Sequence, residues 1–256
     1  MFRRTINGNT DLWSIEAGRN ILGRLTSDPA RDYDAVWSSA GDRIVFNSDR
    51  NGVLNFYELS IAGGNASAET LLLETSEHKN TQDWSTDRRY LLYSSQSVTT
   101  GNDLWALPLF GDRQPMAIAQ TAAHETRGRF SPDGRWVAYE STESGRGEIY
   151  VQAFPELTRK TQISTNGGAA PIWRGDGREL FFVSLDDRLM VARIGASGQL
   201  ETDTPSVLFP LPPGPHRYLT NAAPYAVARD GQRFLINTSV EEAPPITVLL
   251  NWKPKD

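Results

Sequence analysis

Apolar and polar residues alternate along this chain in short stretches that recur at a regular interval. Each stretch begins at a large apolar residue, turns through an Asp-Gly-like pair and re-enters an apolar strand. Five copies align without gaps over ten residues, at 37–46, 84–93, 130–139, 173–182 and 227–236. Their first residues are 47, 46, 43 and 54 positions apart. This period is typical of propeller blades rather than of helical repeats.

The turn at the centre of each copy predicts a tight hairpin. Three copies carry the pairs Asp133-Gly134, Asp176-Gly177 and Asp230-Gly231. Glycine tolerates positive φ and aspartate hydrogen-bonds its own backbone, so both residue types suit such a turn. Asp87 has the same position in a copy that lacks the glycine. We interpret the four aspartates as turn residues rather than as a ring of cation ligands.

Further strands follow each hairpin and complete a four-stranded unit. Third strands are predicted at 55–59, 103–107, 148–152, 188–192 and 246–250, and weaker fourth strands at 70–74, 115–119, 160–164 and 206–209. Four antiparallel strands per period describe a propeller blade. No stretch shows a sustained helical period, so the fold class is predicted to be all-β.

The two ends of the chain set the predicted number of blades. Residues 2–6, 11–15 and 20–26 resemble strands two to four of a blade without its first strand, and the last copy lacks a fourth strand. We therefore expect a single six-bladed β-propeller whose first and last blades are incomplete, with Met1 starting inside a longer ancestral propeller. The predicted blades span 1–26, 27–75, 76–120, 121–165, 166–210 and 216–252.

Composition narrows the range of partners. The chain has 256 residues, a formal net charge of −5 and no cysteine. Because there is no basic stripe, a nucleic-acid partner is not expected. No apolar stretch is long enough to cross a bilayer, and the polar N-terminus does not resemble a signal peptide. Disulfides and thiolate metal sites are excluded.

A search for catalytic motifs predicts no catalytic residue, no metal site and no cofactor. Gly-x-Ser-x-Gly is absent, and His124-Glu125 does not continue into a zinc motif. His78, His124 and His216 lie in predicted loops, without a Ser or Asp at a motif spacing. On this basis the chain is predicted not to be an enzyme.

Loops between the second and third strands are the predicted binding region, since propellers carry specificity in variable loops. These loops contain Asp49, Arg50, Glu143 and Arg146 and are expected on one rim, where a protein, a peptide or a small ligand would bind. The channel is the other candidate position. Other distinctive loops lie at 95–102, 166–168 and 209–215. The repeated residues Trp37, Trp84, Phe130 and Trp173 are interpreted as blade-packing rather than sugar-stacking residues.

Specific motifs carry a family resemblance. The copy at 130–139, followed by Ile149-Tyr150-Val151, resembles TolB-like (PD40, WD40-like) propeller repeats. The stretches 147–155, 162–168, 173–182 and 245–252 are similar to the C-terminal propeller of bacterial membrane-spanning serine/threonine protein kinases. That resemblance implies a sensing or interaction module facing the periplasm, preceded by a kinase domain and a membrane helix. Neither is present in this chain, so without them a cytoplasmic location is expected if Met1 is the true start.

Three hypotheses follow for function. The leading one is a non-enzymatic sensor or binding propeller belonging to a receptor-type kinase. An alternative is an enzyme of the metal-dependent lactonase or glycan-cleaving type, or the non-catalytic propeller of a prolyl-oligopeptidase-like peptidase. The third is a truncated gene product without independent function.

Overall fold

The computed structural model describes residues 1–16, 18–62, 65–66, 68–195, 202–212, 224–238 and 248–249. All the secondary-structure elements assigned within these ranges are β-strands, as the alternating pattern predicted. None of the described residues forms a helix that is long and apolar enough to span a bilayer. The chain groups into two compact units, one of Met1–Val98 with Trp105–Met116 and one of Thr99–Leu104 with Ala117–Asp256.

The described strands form six sheets, mostly in chain order. The first three sheets contain β1 (Phe2–Ile6), β2 (Asn9–Glu16) and β3 (Ile21–Arg24); β4 (Asp32–Trp37), β5 (Arg43–Ser48), β6 (Asn55–Ala62), β7 (Asn65–Ala66) and β8 (Thr70–Leu73); and β9 (Lys79–Trp84), β10 (Tyr90–Ser97), β11 (Gly101–Pro108) and β12 (Met116–Ala119). The last three contain β13 (Glu125–Phe130), β14 (Trp136–Ser141), β15 (Glu148–Ala153) and β16 (Lys160–Gln162); β17 (Ala169–Trp173), β18 (Glu179–Val183), β19 (Arg188–Arg193) and β20 (Ser206–Pro210); and β21 (Tyr225–Val227), β22 (Phe234–Ile236) and β23 (Val248–Leu249).

These sheets match the four-stranded repeat that the sequence predicts. The fourth and fifth sheets are antiparallel and run in chain order, which is consistent with propeller blades. The second sheet contains one strand that was not predicted, β7, which extends β6 as a short hairpin. Of the strand predicted at 246–250, only β23 lies within the described residues. The number of blades and the proposed blade boundaries stay predictions.

The aspartates of the repeats do form the turns that were predicted for them. Oδ1 of Asp87, Asp133, Asp176 and Asp230 accepts the amide two residues ahead at 3.0 to 3.1 Å. Gly134, Gly177 and Gly231 adopt φ values of +71°, +74° and +70°. In the copy without glycine, Arg88 adopts φ +63° instead. The interpretation as turn residues is confirmed by these bonds.

One repeat residue does not pack as expected. Trp84, Phe130 and Trp173 are buried, but Trp37 is 37% exposed. The Trp173 indole donates to the carbonyl of Arg129 in β13, the first strand of the preceding sheet. Trp37, in contrast, is exposed and is not among the residues of the apolar clusters that join the described sheets of its unit. The prediction that Trp37 packs between blades is therefore corrected.

The core of the second unit lies between neighbouring sheets. Strand β18 sends alternate side chains to its two faces, because successive residues of a strand point to opposite sides. Leu180 and Phe182 join Trp136, Ala138, Ile149 and Val151 of the fourth sheet in one cluster. Phe181 and Val183 join Tyr225, Phe234 and Ile236 of the sixth sheet in another. The fifth sheet is thus covered on both faces.

The first unit has equivalent clusters. One contains Phe56 with Trp84, Leu91, Tyr93 and Leu107, and the other contains Leu12 with Ile44, Phe46, Tyr57 and Leu59. Each cluster combines residues of two consecutive sheets. In both units, apolar residues of one sheet therefore cover the neighbouring sheet.

Substitution of Gly134 tests the turn chemistry. No heavy atom lies within 4 Å of a Cβ added at Gly134, so an alanine there is strained only by its positive φ. We expect Gly134→Ala to lower the free energy of unfolding by about 1 kcal/mol and Gly134→Asn to cost less, since asparagine tolerates this region. Urea unfolding of both variants measures this, and equal costs for Ala and Asn would contradict it.

Candidate functional site

A pocket of about 280 Å³ lies in the second unit, between the loop before β17 and the sheet of β18, β19 and β20. Phe182, Met190 and Val207 form its apolar floor. They are paired across the three strands in register, so they form one row on one face of the sheet. The volume lies just below the usual range for small-molecule sites, which begins at about 300 Å³.

Polar groups surround this floor. Ser164, Thr165 and Asn166 line the pocket from the loop, Ser184, Asp186 and Arg188 from the β18–β19 hairpin, and Thr204 from the segment before β20. Arg188 Nε lies 2.7 Å from Asp186 Oδ2, and both side chains are more than half exposed. Within the described residues the side chains of Thr165, Asn166 and Thr204 have no hydrogen-bond partner. These groups are therefore available to a ligand.

A buried carboxylate holds the loop of the pocket. Glu148, at the start of β15, is 1% exposed. Its Oε1 accepts the Gly167 amide at 2.8 Å, and its Oε2 accepts the Ser164 hydroxyl. Ser164 Oγ in turn accepts the Ile149 amide at 2.8 Å. The loop is thus fixed from inside the protein, which leaves the outer side chains of Thr165 and Asn166 at the pocket.

The glycine pair of the loop permits its close approach to the next sheet. Gly167 has φ +88°, and a Cβ there would lie 2.2 Å from Leu185 Cγ. A Cβ on Gly168 would lie 2.6 Å from Ser164 Oγ. No other residue type fits either position without displacing these neighbours. The distinctive loop 166–168 seen in the sequence is therefore a structural support of the pocket wall.

Two of the predicted rim residues lie in the second unit. Arg146 Nε is 3.3 Å from Glu148 Oε1, so this residue touches the carboxylate that holds the pocket loop. Glu143 forms an ion pair with Lys160. Arg146 and Glu143 thus make separate contacts although they share one loop.

The other two predicted rim residues lie in the first unit. Asp49 forms an ion pair with Arg31, whose Nε and Nη2 both lie close to the one oxygen Oδ2, at 2.8 and 2.7 Å. Arg50 is in a different cluster. The four predicted residues therefore belong to four distinct sets of contacts, and their common rim stays a prediction.

Arg50 lies within a group of carboxylates. Its guanidinium lies 2.6 Å from Glu69, 3.4 Å from Asp32 and 3.6 Å from Asp28. It also stacks over the Tyr57 ring, with its central carbon 4.0 Å from the ring centre. Its side chain is 17% exposed. Arg50 therefore connects the loop to three segments of the first unit, which is a structural role that its sequence position did not indicate.

Burial raises the pKa of Asp32 in this cluster to about 6, although hydrogen bonds from Ser48 and Thr26 and the Arg50 charge oppose the shift. Its side chain is fully buried and Oδ2 has no hydrogen-bond partner. Burial away from water makes the ionised form of such a carboxylate energetically less favourable than it is in solvent.

The histidines do not form a catalytic group in the described residues. Nδ1 of His78 accepts the Leu54 amide at 3.2 Å, and Nδ1 of His124 accepts the Asn102 amide at 3.4 Å. Both side chains belong to exposed loop residues. His216 lies outside the described residues. No three His, Cys, Asp or Glu side chains of the described ranges come together as a metal site.

Several pocket residues were not identified from the sequence as functional. Glu148 was assigned only to a strand, and Arg188, Thr204 and Val207 were not singled out. The signal at Glu148 was its position, because four of the five predicted third strands start with a polar residue: Asn55, Asp103, Glu148 and Arg188. These residues contact parts of the chain that are distant in sequence, and no short sequence motif indicates such contacts.

Comparison by sequence finds no matching protein-family model and no matching curated protein. Comparison of the fold finds solved structures. TolB from Acinetobacter baumannii matches with a TM-score of 0.66 at 15% identity, over 91% of this chain and 55% of TolB. Oligogalacturonate lyase in complex with manganese matches with a TM-score of 0.64 at 14% identity, over 91% and 66% of the two chains. The periplasmic gluconolactonase of Pseudomonas aeruginosa matches with a TM-score of 0.57 at 16% identity, over 89% and 71%.

These matches support a TolB-like β-propeller fold for the chain, which spans little more than half of the matched TolB. The similarity to receptor-kinase propellers stays a prediction. The matches also correct the prediction that the chain is not an enzyme. Two of the matched proteins named above are enzymes, so this fold carries catalysis in other proteins and its presence does not argue against an activity.

The raised pKa of Asp32 predicts a pH effect on stability. An unfolded aspartate titrates near pH 4, and the folded one near pH 6. The folded state therefore binds the proton more tightly than the unfolded state. Ionisation of Asp32 then lowers the protein's free energy of unfolding as the pH rises from about 4 to about 6. Asp32→Asn should remove that loss and be more stable relative to wild type at pH 7 than at pH 4. Urea unfolding across this pH range measures it, and parallel pH curves for both proteins would contradict it.

The close contact of Gly167 predicts a coupled effect. Gly167→Ala should lower the free energy of unfolding by about 2–4 kcal/mol, because strain at positive φ adds to the clash with Leu185. Leu185→Ala removes the clash but not the strain at positive φ. By itself this substitution should cost little stability, because Leu185 is 45% exposed. In the double variant we expect about half of the loss to be recovered. Additive effects of the two substitutions in denaturant unfolding would show that the contact is absent.

Proposed function

We propose that this chain is a TolB-like β-propeller domain that binds a small polar ligand in the pocket lined by residues 164–167, 182–190 and 204–207. The observation that carries the proposal is the combination of an open polar wall and an apolar floor in one pocket. Sites of this kind use a few placed polar groups for orientation and apolar surface for affinity. The buried Glu148 keeps the wall in place before a ligand arrives, which reduces the entropic cost of binding.

The chemistry of the wall favours a ligand with hydroxyl, amide or carboxylate groups. Thr165, Asn166 and Thr204 offer donors and acceptors, and Arg188 offers a cationic fork. The floor of Phe182, Met190 and Val207 suits an apolar face of the same ligand. A sugar derivative or a short peptide end has both features.

In this proposal the six sheets are the blades of one propeller, and the chain is the extracytoplasmic recognition part of a receptor-type serine/threonine kinase. The motifs at 147–155 and 173–182 support this relation. The coding sequence upstream of Met1, read in the same frame, tests it. A membrane helix and a kinase domain there would support the receptor, and a nearby in-frame stop codon would contradict it.

A substitution that fills the pocket tests the binding site. Val207 is 45% exposed on β20, so a larger side chain can be placed there without disturbing the core. Val207→Trp should weaken binding about tenfold or more while thermal stability is kept. Leu71→Trp is the matched control, because Leu71 pairs with Tyr57 in the second sheet as Val207 pairs with Met190 in the fifth. Leu71 is 47% exposed as well.

Ligands are first found by thermal shift with sugar acids, oligogalacturonides, lactones and dipeptides, and their affinities are then measured by calorimetry. Loss of affinity in Val207→Trp but not in Leu71→Trp supports the pocket. Equal affinity of both variants would place the ligand elsewhere and contradict the proposal. The same mixtures are analysed for products, so a turnover that Val207→Trp abolishes would identify the pocket as an active site.

A further inference from the structure

A buried lysine occupies an oxygen cage where the second sheet of the first unit is followed by the third. Lys79, the first residue of β9, is fully buried. Its ammonium donates to Asn55 Oδ1 and Thr75 Oγ1, each at 2.7 Å, and to the Glu77 carbonyl at 2.9 Å. The three oxygens thus surround the Lys79 ammonium, which is a cation of the protein itself.

The same positions of the next repeat have different residues. Lys79 lies five residues before Trp84, and Glu125 lies five before Phe130. Asn55 and Asp103 both begin the apolar part of a third strand, and Thr121 precedes Glu125 by four residues as Thr75 precedes Lys79. The threonine is therefore kept while the lysine is replaced by glutamate and the asparagine by aspartate. The equivalent positions in the second unit therefore carry two neighbouring carboxylates, and among the described residues no lysine or arginine is paired with them.

Both carboxylates are buried and only partly hydrogen-bonded. Asp103 is 1% exposed, and its Oδ2 accepts Thr100 Oγ1 at 2.7 Å. Glu125 is fully buried, and its Oε1 accepts Thr121 Oγ1 at 2.5 Å. Asp103 Oδ1 and Glu125 Oε2 are buried without any hydrogen-bond partner. Burial first, and the nearby charge of Asp103 in addition, raise the pKa of Glu125. An uncompensated buried carboxylate of this kind is costly.

Equivalent carboxylates elsewhere in the described chain are compensated by an arginine. Asp11 lies 2.7 Å from Arg24, Asp32 lies 3.4 Å from Arg50 and Glu148 lies 3.3 Å from Arg146. Among the described residues neither Asp103 nor Glu125 forms an ion pair. Asp103 and Glu125 thus differ from the described carboxylates Asp11, Asp32 and Glu148, each of which has an arginine partner.

We propose that Asp103 Oδ1 and Glu125 Oε2 bind a divalent cation of the calcium type, in the place where Lys79 holds its ammonium in the preceding repeat. Two carboxylates with neutral oxygens around them are a donor set for a hard cation. Thr121 Oγ1 and the carbonyl of Ala123 correspond to the Thr75 and Glu77 oxygens that contact Lys79. Only these two carboxylates are acidic ligands of the proposed site. Neutral oxygens or water would supply most of the other ligands.

Metal-dependent stability tests the site. Chelator-treated protein is titrated with CaCl₂, with MgCl₂ and MnCl₂ in parallel, while the thermal transition is recorded. Ca²⁺ should raise Tm saturably, by about 5 °C or more when the site is filled. Calorimetry with CaCl₂ should give one site per chain. No saturable response of the wild-type protein to any of the three ions would overturn the proposal.

A double variant makes the test specific. Asp103→Asn with Glu125→Lys recreates the arrangement of Asn55 and Lys79, so it should lose the Ca²⁺ response and, without metal, melt above wild type. Asp133→Asn is the control for removal of a carboxylate, because Asp133 lies in an exposed turn, and it should keep the response. Glu125→Gln serves if the double variant does not fold, and it should abolish the response. A Ca²⁺ shift that persists in these Glu125 variants would contradict the site.

Discussion

Each sheet in the middle of this chain must bury apolar side chains on both of its faces, and the rest of the structure depends on this requirement. Val137 and Ala138 are consecutive residues of β14, point to opposite faces and are both fully buried. Leu180, Phe181, Phe182 and Val183 of β18 are all at most 2% exposed. Such a sheet is not stable alone in water, because either face needs a neighbour to cover it. Repetition of one sheet along the chain supplies those neighbours.

Because both faces of these sheets are packed, residues that bind ligands or ions lie at the strand ends and in the loops. The residue five positions before each repeat anchor shows how one position takes different roles. It is Asp32 beside Arg50 in one repeat, Lys79 in an oxygen cage in the next and Glu125 beside Asp103 in the third. In the fourth it is Gly168, where a Cβ would collide with Ser164 of the same loop and with Ile149 of β15. The sheets fix the position of these residues, and their identity decides what each junction binds.

Regular features of the fold were predictable from the sequence because they depend on local residues. The hairpin aspartates bond amides two residues away, and strand alternation is a property of successive residues. Exposure of Trp37 was not predictable, because the same repeat position is buried at Trp84, Phe130 and Trp173. Arg50, Glu148 and the pairing of Met190 with Val207 in the pocket floor depend on contacts between residues 15 or more positions apart. Such contacts leave no pattern in a single sequence.

Native-state hydrogen exchange of β14 and β18 tests the central claim, which is that the fourth and fifth sheets share one apolar core. If Trp136 and Ala138 pack with Leu180 and Phe182 as the structure has them, the two strands open together. Amides of both strands should then converge on one free energy of opening as denaturant is added. Two separate opening free energies, one for each strand, would show that the sheets unfold independently and would contradict the account.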